Sequence, residues 1–252
     1  MTEQTTLPQP AEREPAPLEE LYETGRRFAL GQGVQRDLAK AKACFAEAAE
    51  AGHAKAQCNL GFLLVMSGES AERLAEAAQW FERATENGVY DAAFNLGMLH
   101  ATGQLSEQPN FTAAARWYLI AAEHNVHSAA YNLGLIHHQG LNGEPDLETA
   151  FNWFQRAGDA GFAQAQYATA VCYNQGHGVP VDETQAVAYY RLAANQGHTS
   201  ALYNLGLFYF YGAGGLTESR TTARQLFALA AERGHTQAQA ALNAPEMLEL
   251  AS

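Results

Sequence analysis

Small and apolar residues recur along this chain at helical spacing, and the whole arrangement then repeats. Residues 163–198, AQAQYATAVCYNQGHGVPVDETQAVAYYRLAANQGH, hold one period. They read as a helix with small residues on one face, a Gly-x-Gly loop, an Asp at a capping position, and a second helix closed by Gly-His. Gly25, Gly61, Gly97, Gly134, Ala170 and Gly206 form one series in register, and Ala41, Ala77, Ala114, Ala150, Ala186 and Ala223 form another. Each series steps by 36 or 37 residues. A fixed period of that length predicts helical hairpins stacked on their neighbours, an all-α solenoid with no single centre. The repeats are placed at about 17–53, 54–89, 90–126, 127–162, 163–198 and 199–235. A partial repeat over 236–243, stopped before Pro245, covers the end of the stack. Residues 1–16, with Pro8, Pro10 and Pro15 among Glu, Gln and Thr, are expected to form a disordered tail, and 244–252 a C-terminal tail.

Loop chemistry marks the joints. Asp37, Asn110, Asp146, Asp182 and Ser219 stand where a side-chain oxygen can accept from the first free N–H groups of a second helix. Asn110-Phe111-Thr112 is formally a glycosylation sequon, but its position fits a cap. Asn125 replaces the glycine that closes the other second helices, as asparagine can in a left-handed conformation. The second repeat departs from the pattern. Its Gly61 to Gly68 interval is one residue longer, Gly-x-Gly is missing, and Arg73 occupies the capping position. An irregular loop is expected there.

With the glycine series as position zero and about 100° per residue, positions −5, −1 and +3 share a face. These are Ala129, Leu133 and His137 in the fourth repeat and Ala201, Leu205 and Tyr209 in the sixth. They are expected to face the core. So are the aromatic pairs of the second helices: Trp80-Phe81, Trp117-Tyr118, Trp153-Phe154 and Tyr189-Tyr190. Positions −6, −3, −2, +1, +4 and +5 fall opposite. There the −2 position reads Asn59, Asn95, Asn132 and Asn204, broken by Ala168. The −3 position reads Tyr22, Phe94, Tyr131, Tyr167 and Tyr203, broken by Cys58. An amide both donates and accepts, and aromatic side chains serve as interface anchors, so these ladders are candidates for binding a partner. Being part of the repeat pattern, they equally suit contacts between repeats. His138, Asn174, Phe210 and Tyr211 lie on the same side but deviate from the repeat, which points to a particular partner. The run Phe208-Tyr209-Phe210-Tyr211 diverges around its helix, so part of it must lie outside the core.

Charge narrows the partners. The net charge is −12, and between Trp117 and Ser219 the only basic residues are Arg156 and Arg191. That argues against nucleic acid as a partner, since a phosphate-binding surface needs clustered Lys and Arg, and disfavours anionic membranes. It favours a basic partner where charge decides. No apolar stretch approaches the length of a membrane span. The N-terminus lacks a basic segment followed by an apolar run, so a cytoplasmic location is expected. Cys44, Cys58 and Cys172 form no CxxC pair and read as packing residues in a reducing compartment.

The motifs A-x-A-x-x-N-L-G-x-x-Y, G-x-G-V-x-x-D and A-x-x-W-[FY]-x-x-A, each period closed by Gly-His, resemble the Sel-one-like repeat, a relative of the tetratricopeptide repeat, over about residues 18–243. The resemblance implies a right-handed superhelix of about six helix-turn-helix repeats, with first helices lining a concave groove. It implies adaptor or scaffold roles without a catalytic motif. Tetratricopeptide superhelices use an asparagine ladder to hold an extended peptide, and the −2 series here is similarly placed. The reading is a non-enzymatic module that binds another protein or an extended peptide, needing neither cofactor nor metal. One alternative is an inhibitor or immunity-type protein that sequesters an enzyme or toxin. Another is an enzyme or metal protein with a groove site near His138. Against the latter, His100 and His137 replace a packing aromatic at +3, and His138 points about 100° away from them. The Gly-x-Gly loops follow no strand and lack a Lys-Ser/Thr continuation, so they read as bends, not phosphate loops.

Overall fold

The computed structural model describes residues 16–68 and 70–244. The tails expected over 1–16 and 244–252 lie outside these residues, apart from Ala16 and Ala244. Among the described residues the secondary structure is thirteen α-helices and no strand. The chain divides into two compact units, 1–95 and 96–252.

The first unit contains α1 (Ala16–Leu30), α2 (Leu38–Glu50), α3 (Ala54–Met66) and α4 (Ala71–Glu86), followed by the first half of α5 (Tyr90–Ala101). Here α1 packs on α2, α2 on α3 and α3 on α4. The second unit holds the rest of α5, α6 (Phe111–Glu123), α7 (His127–Gln139), α8 (Leu147–Asp159), α9 (Ala163–Gln175), α10 (Glu183–Asn195), α11 (Thr199–Tyr211), α12 (Arg220–Glu232) and α13 (Thr236–Leu242). From α6 to α13 each helix packs on the next. This is the helix-on-helix succession that a 36-residue period demands.

The buried stripe of a first helix is wider than the predicted face. In α7 it comprises Ala129, Ala130, Leu133, Gly134 and Ile136, and in α11 Ala201, Leu202, Leu205, Gly206 and Phe208. His137 and Tyr209, expected in the core at +3, are only half-buried. Two neighbours explain the difference. α7 packs against both α6 and α8, and α11 against both α10 and α12, so two adjoining faces are covered.

Position zero is the closest approach. A Cβ on Gly134 would stand 2.6 Å from the Phe154 ring, on Gly206 2.5 Å from Phe227, and on Gly61 2.8 Å from Phe81. Those rings are almost wholly buried. The glycine therefore serves ring-to-backbone contact inside a regular helix.

The predicted caps all form. Asp37, Asn110, Asp146 and Asp182 accept from the backbone N–H of Lys40, Ala113, Thr149 and Gln185 at 2.9–3.0 Å, and Ser219 accepts from Thr222 at 3.3 Å. These backbone bonds hold the Asp37 and Asp146 carboxyls below the usual aspartate range. Asn125 adopts φ 65°, the one positive value at a non-glycine among the described residues. The second repeat is corrected: Ser70, not Arg73, is the cap, its hydroxyl accepting from the Arg73 N–H at 3.3 Å. α3 ends at Met66 and α4 starts at Ala71, so this loop is shorter than that between α1 and α2, and α4 begins about one turn before the expected position.

Two joints were not foreseen. The Gly-His histidines start the next first helix as well as ending the previous one. Nδ1 of His53, His198 and His235 accepts from the N–H of Ala56, Ala201 and Ala238 at 3.1–3.3 Å. In addition, buried Gln57 and Gln166 donate to the Ala49 and Gly158 carbonyls of the preceding helix, at 3.2 and 3.1 Å. Their own amide oxygens accept from Asn87 and Gln196 of the following helix end.

Candidate partner-binding site

Each ladder residue has a place that follows from these joints. In the −3 series, Tyr22, Tyr167 and Tyr203 stack on His53, His198 and His235 with ring centroids 4.5–4.6 Å apart. The same three tyrosines tilt onto Phe45, Tyr190 and Phe227 of their own second helices. Tyr131 meets Phe162 edge-on at 5.6 Å and tilts onto Phe154. These rings fill the junction between a second helix and the next first helix, which leaves them half-buried or, for Tyr22, buried. Phe94 is half-buried.

The −2 amides are also engaged. Asn59 lies against the Tyr22 hydroxyl, Asn132 against that of Tyr118, and Asn204 against that of Tyr190, each offsetting part of the rise that burial causes. Burial pushes the Tyr118 hydroxyl up to about 12 and raises Tyr190 further. Asn132 also reaches the Met98 sulfur at 3.7 Å. Asn95 is half-buried.

The deviating residues behave differently. Asn174, Phe210 and Tyr211 converge with Tyr203 and Asn204 on the face of α11 in the second unit. Tyr211 is 71% exposed. One hollow, about 230 Å³, runs from Asn174 and Glu183 past Asn204 to Leu207 and Tyr211. Another, about 270 Å³, lies beyond Leu207 and Tyr211, against Tyr203, Phe210 and Phe227. Leu207 and Tyr211 are common to both and form the ridge between them. Glu183 is held at the rim by the Gly214 N–H at 3.0 Å. Sequence reasoning missed Leu207 and Glu183. Leu207 is +1 of its helix, a position placed on this face without being singled out, while Glu183 follows the Asp182 cap and carried no signal of its own.

His138 stands apart from that site. Its ring lies 5.6 Å from His177 and 6.3 Å from Phe154, and burial, then the His177 charge, lowers its pKa. Among the described residues no three His, Cys, Asp or Glu side chains are grouped to hold a metal. The three cysteines are free, and burial pushes the Cys58 and Cys172 thiols up to about 11. That is the opposite of a nucleophile's shift.

Six consecutive segments, 21–53, 54–89, 91–126, 127–162, 163–198 and 199–235, match the family described as Sel1 repeat. The chain belongs to the Sel1 repeat family. Members of this family generally mediate protein–protein interaction, on a fold that is generally non-enzymatic. A Sel1 repeat protein from Oxalobacter formigenes is similar at 29% identity and a TM-score of 0.71, over 84% of each chain. A protective antigen of uropathogenic Escherichia coli with the same repeat fold is similar at 26% identity and a TM-score of 0.63, over 89% of this chain and 56% of its own. An immunity protein from Pseudomonas aeruginosa, at 18% identity and a TM-score of 0.50 over 85% of this chain and 80% of its own, shares the fold alone. No curated protein matches the sequence. No helix among the described residues is long and apolar enough to cross a membrane.

Proposed function

We propose that this Sel1 repeat protein is a non-enzymatic cytoplasmic module that holds a peptide or partner domain on the α11 face of its second unit. The observation that carries the reading is the Leu207–Tyr211 ridge with a hollow on either side. A large exposed ring on a rigid helix offers contact area at small entropic cost, and such rings dominate binding energy at interfaces. Covering an aromatic or aliphatic side chain of this size contributes about 1.5–3 kcal/mol. The Asn174 amide and the remaining valences of Asn204 can each add a hydrogen bond, at about 0.5–1.5 kcal/mol net. The Glu183 carboxylate at the rim suits a basic or amide-bearing group on the partner. Three free cysteines support a reducing compartment.

The test is affinity capture from native lysate followed by mass spectrometry, comparing wild type with Asn174→Ala/Tyr211→Ala. Both side chains can be trimmed without opening the core. A partner retained by wild type and lost by the still-helical variant is the expected result. A partner held equally by both would place the interface elsewhere and refute the assignment.

A further inference from the structure

We infer that the first unit carries a second docking hollow, separate from the α11 face, that takes an acidic amphipathic peptide of a partner protein. α1, α2 and α3 enclose about 620 Å³ whose apolar lining includes Leu30, Leu38 and Phe62. These three are 58%, 45% and 51% exposed, more than apolar side chains of a folded helical stack need to be. Arg26, Arg36 and Lys55 also line the hollow, and among the described residues no carboxylate does. The local balance of charge is the reverse of the chain's. Between Thr24 and Ala46 there are five cations, Arg26, Arg27, Arg36, Lys40 and Lys42, and one carboxylate, Asp37, in a protein of net charge −12.

The three lining cations are not equivalent. Arg26 is already paired with Glu23 at 2.8 Å. Arg36 donates Nε to the Ala29 carbonyl at 3.1 Å, which fixes its guanidinium at the rim without neutralising it. Lys55 makes no ion pair among the described residues. Arg36 and Lys55 are therefore the uncompensated charges, set around an apolar floor. Such a site selects a segment whose aliphatic side chains enter the hollow while its carboxylates meet the rim. A basic or purely polar segment satisfies only part of it.

The assignment does not rest on the α11 surface, and its variants lie in the other unit, so either reading can fail alone. The probe is a fluorescein-labelled synthetic peptide with Leu at every third or fourth position among Glu and Gln. Its controls carry Lys for Glu, or Ser for Leu, and the readout is fluorescence anisotropy with the full chain. The Leu/Glu peptide should bind at least tenfold tighter than either control, and more weakly as salt is raised through the range where the Debye length shrinks below about 10 Å. Arg36→Glu with Lys55→Glu should cost at least tenfold in affinity, and so should Phe62→Ser. Tyr211→Ala should cost nothing. Equal binding of the Glu and Lys peptides, no binding of either, or unchanged affinity in the still-helical variants would each overturn the assignment. So would a dimer in size-exclusion chromatography that Phe62→Ser dissolves, since a second copy would then be the occupant.

Discussion

Gly134 offers a direct test of the packing logic, because two well-characterised effects oppose each other at one atom. Replacing glycine by alanine inside a helix should stabilise it by about 0.8–1 kcal/mol through backbone entropy alone. Against that, the added methyl would sit 2.6 Å from Cδ1 and Cε1 of Phe154 and 3.2 Å from the Ala150 carbonyl oxygen, where carbon–carbon contact is comfortable only near about 3.5–4 Å. The Phe154 ring is almost wholly buried, with Tyr131 and His138 against it, so it cannot swing away freely. Overpacking of this kind costs about 1–3 kcal/mol, which leaves Gly134→Ala destabilising by roughly 0–2 kcal/mol after the propensity gain is subtracted. Crowding, not propensity, should decide the sign. Urea denaturation followed by circular dichroism gives the value for Gly134→Ala, Phe154→Leu and the double variant. A smaller side chain opposite the new methyl should relieve the clash, so the double variant should be more stable than the sum of the singles by about 0.5–2 kcal/mol. Gly134→Leu should lower stability further than Gly134→Ala. An alanine variant stabilised by the full propensity gain, or strict additivity in the cycle, would refute the contact.

The joints between repeats yield two further predictions. His198 caps α11 through a neutral Nδ1, and burial lowers its pKa. The folded state therefore resists the proton that the unfolded chain accepts below its ordinary value of about 6.5. Stability should be full above that pH and fall as pH drops through the folded value; His198→Asn, which can still cap, should flatten the acid side of a melting-temperature profile, and an unchanged profile would remove the cap from the argument. Gln166→Leu should remove the bonds from Gln166 to the Gly158 carbonyl and from Gln196 to Gln166, while the Gly158 carbonyl keeps the Gly161 N–H and Gln196 keeps the Gly161 carbonyl, each at 2.9 Å. A cost of about 0.5–1.5 kcal/mol per lost bond in thermal or urea unfolding is expected, and a stabilised variant would refute the role of this joint.

The helical period, the caps and the glycine register were legible because each depends on chemistry local to one or two turns. An Asp before a helix caps it whatever lies beyond, and a glycine that recurs in register announces a close neighbour. What was not legible depends on two elements at once. His53, His198 and His235 were read as helix endings, and their second role as caps appears only when the next first helix folds back on them. The three-place shift from Arg73 to Ser70 reflects a shorter loop and a longer α4, which a periodic reading with a fixed loop length places one turn too late. The half-buried state of His137 and Tyr209 needed the positions of both flanking helices.

The same distinction governs where a partner can be held. A residue type that recurs in every repeat recurs because every repeat has the same joint to make. The −3 tyrosines meet the next cap, and the −2 asparagines Asn59, Asn132 and Asn204 lie against the hydroxyls of Tyr22, Tyr118 and Tyr190. Regularity is thus an argument for internal use, and the surface left to a partner lies where the pattern lapses. Tyr211, Phe210 and Asn174 break it in the second unit; in the first, the exposed Leu30 and Phe62 beside Lys55 mark the other site. Whole-chain charge obscures the second of these sites, since a net charge of −12 averages over a basic cluster of a few residues. Within about one Debye length it is that cluster, not the net charge, that a docking peptide meets.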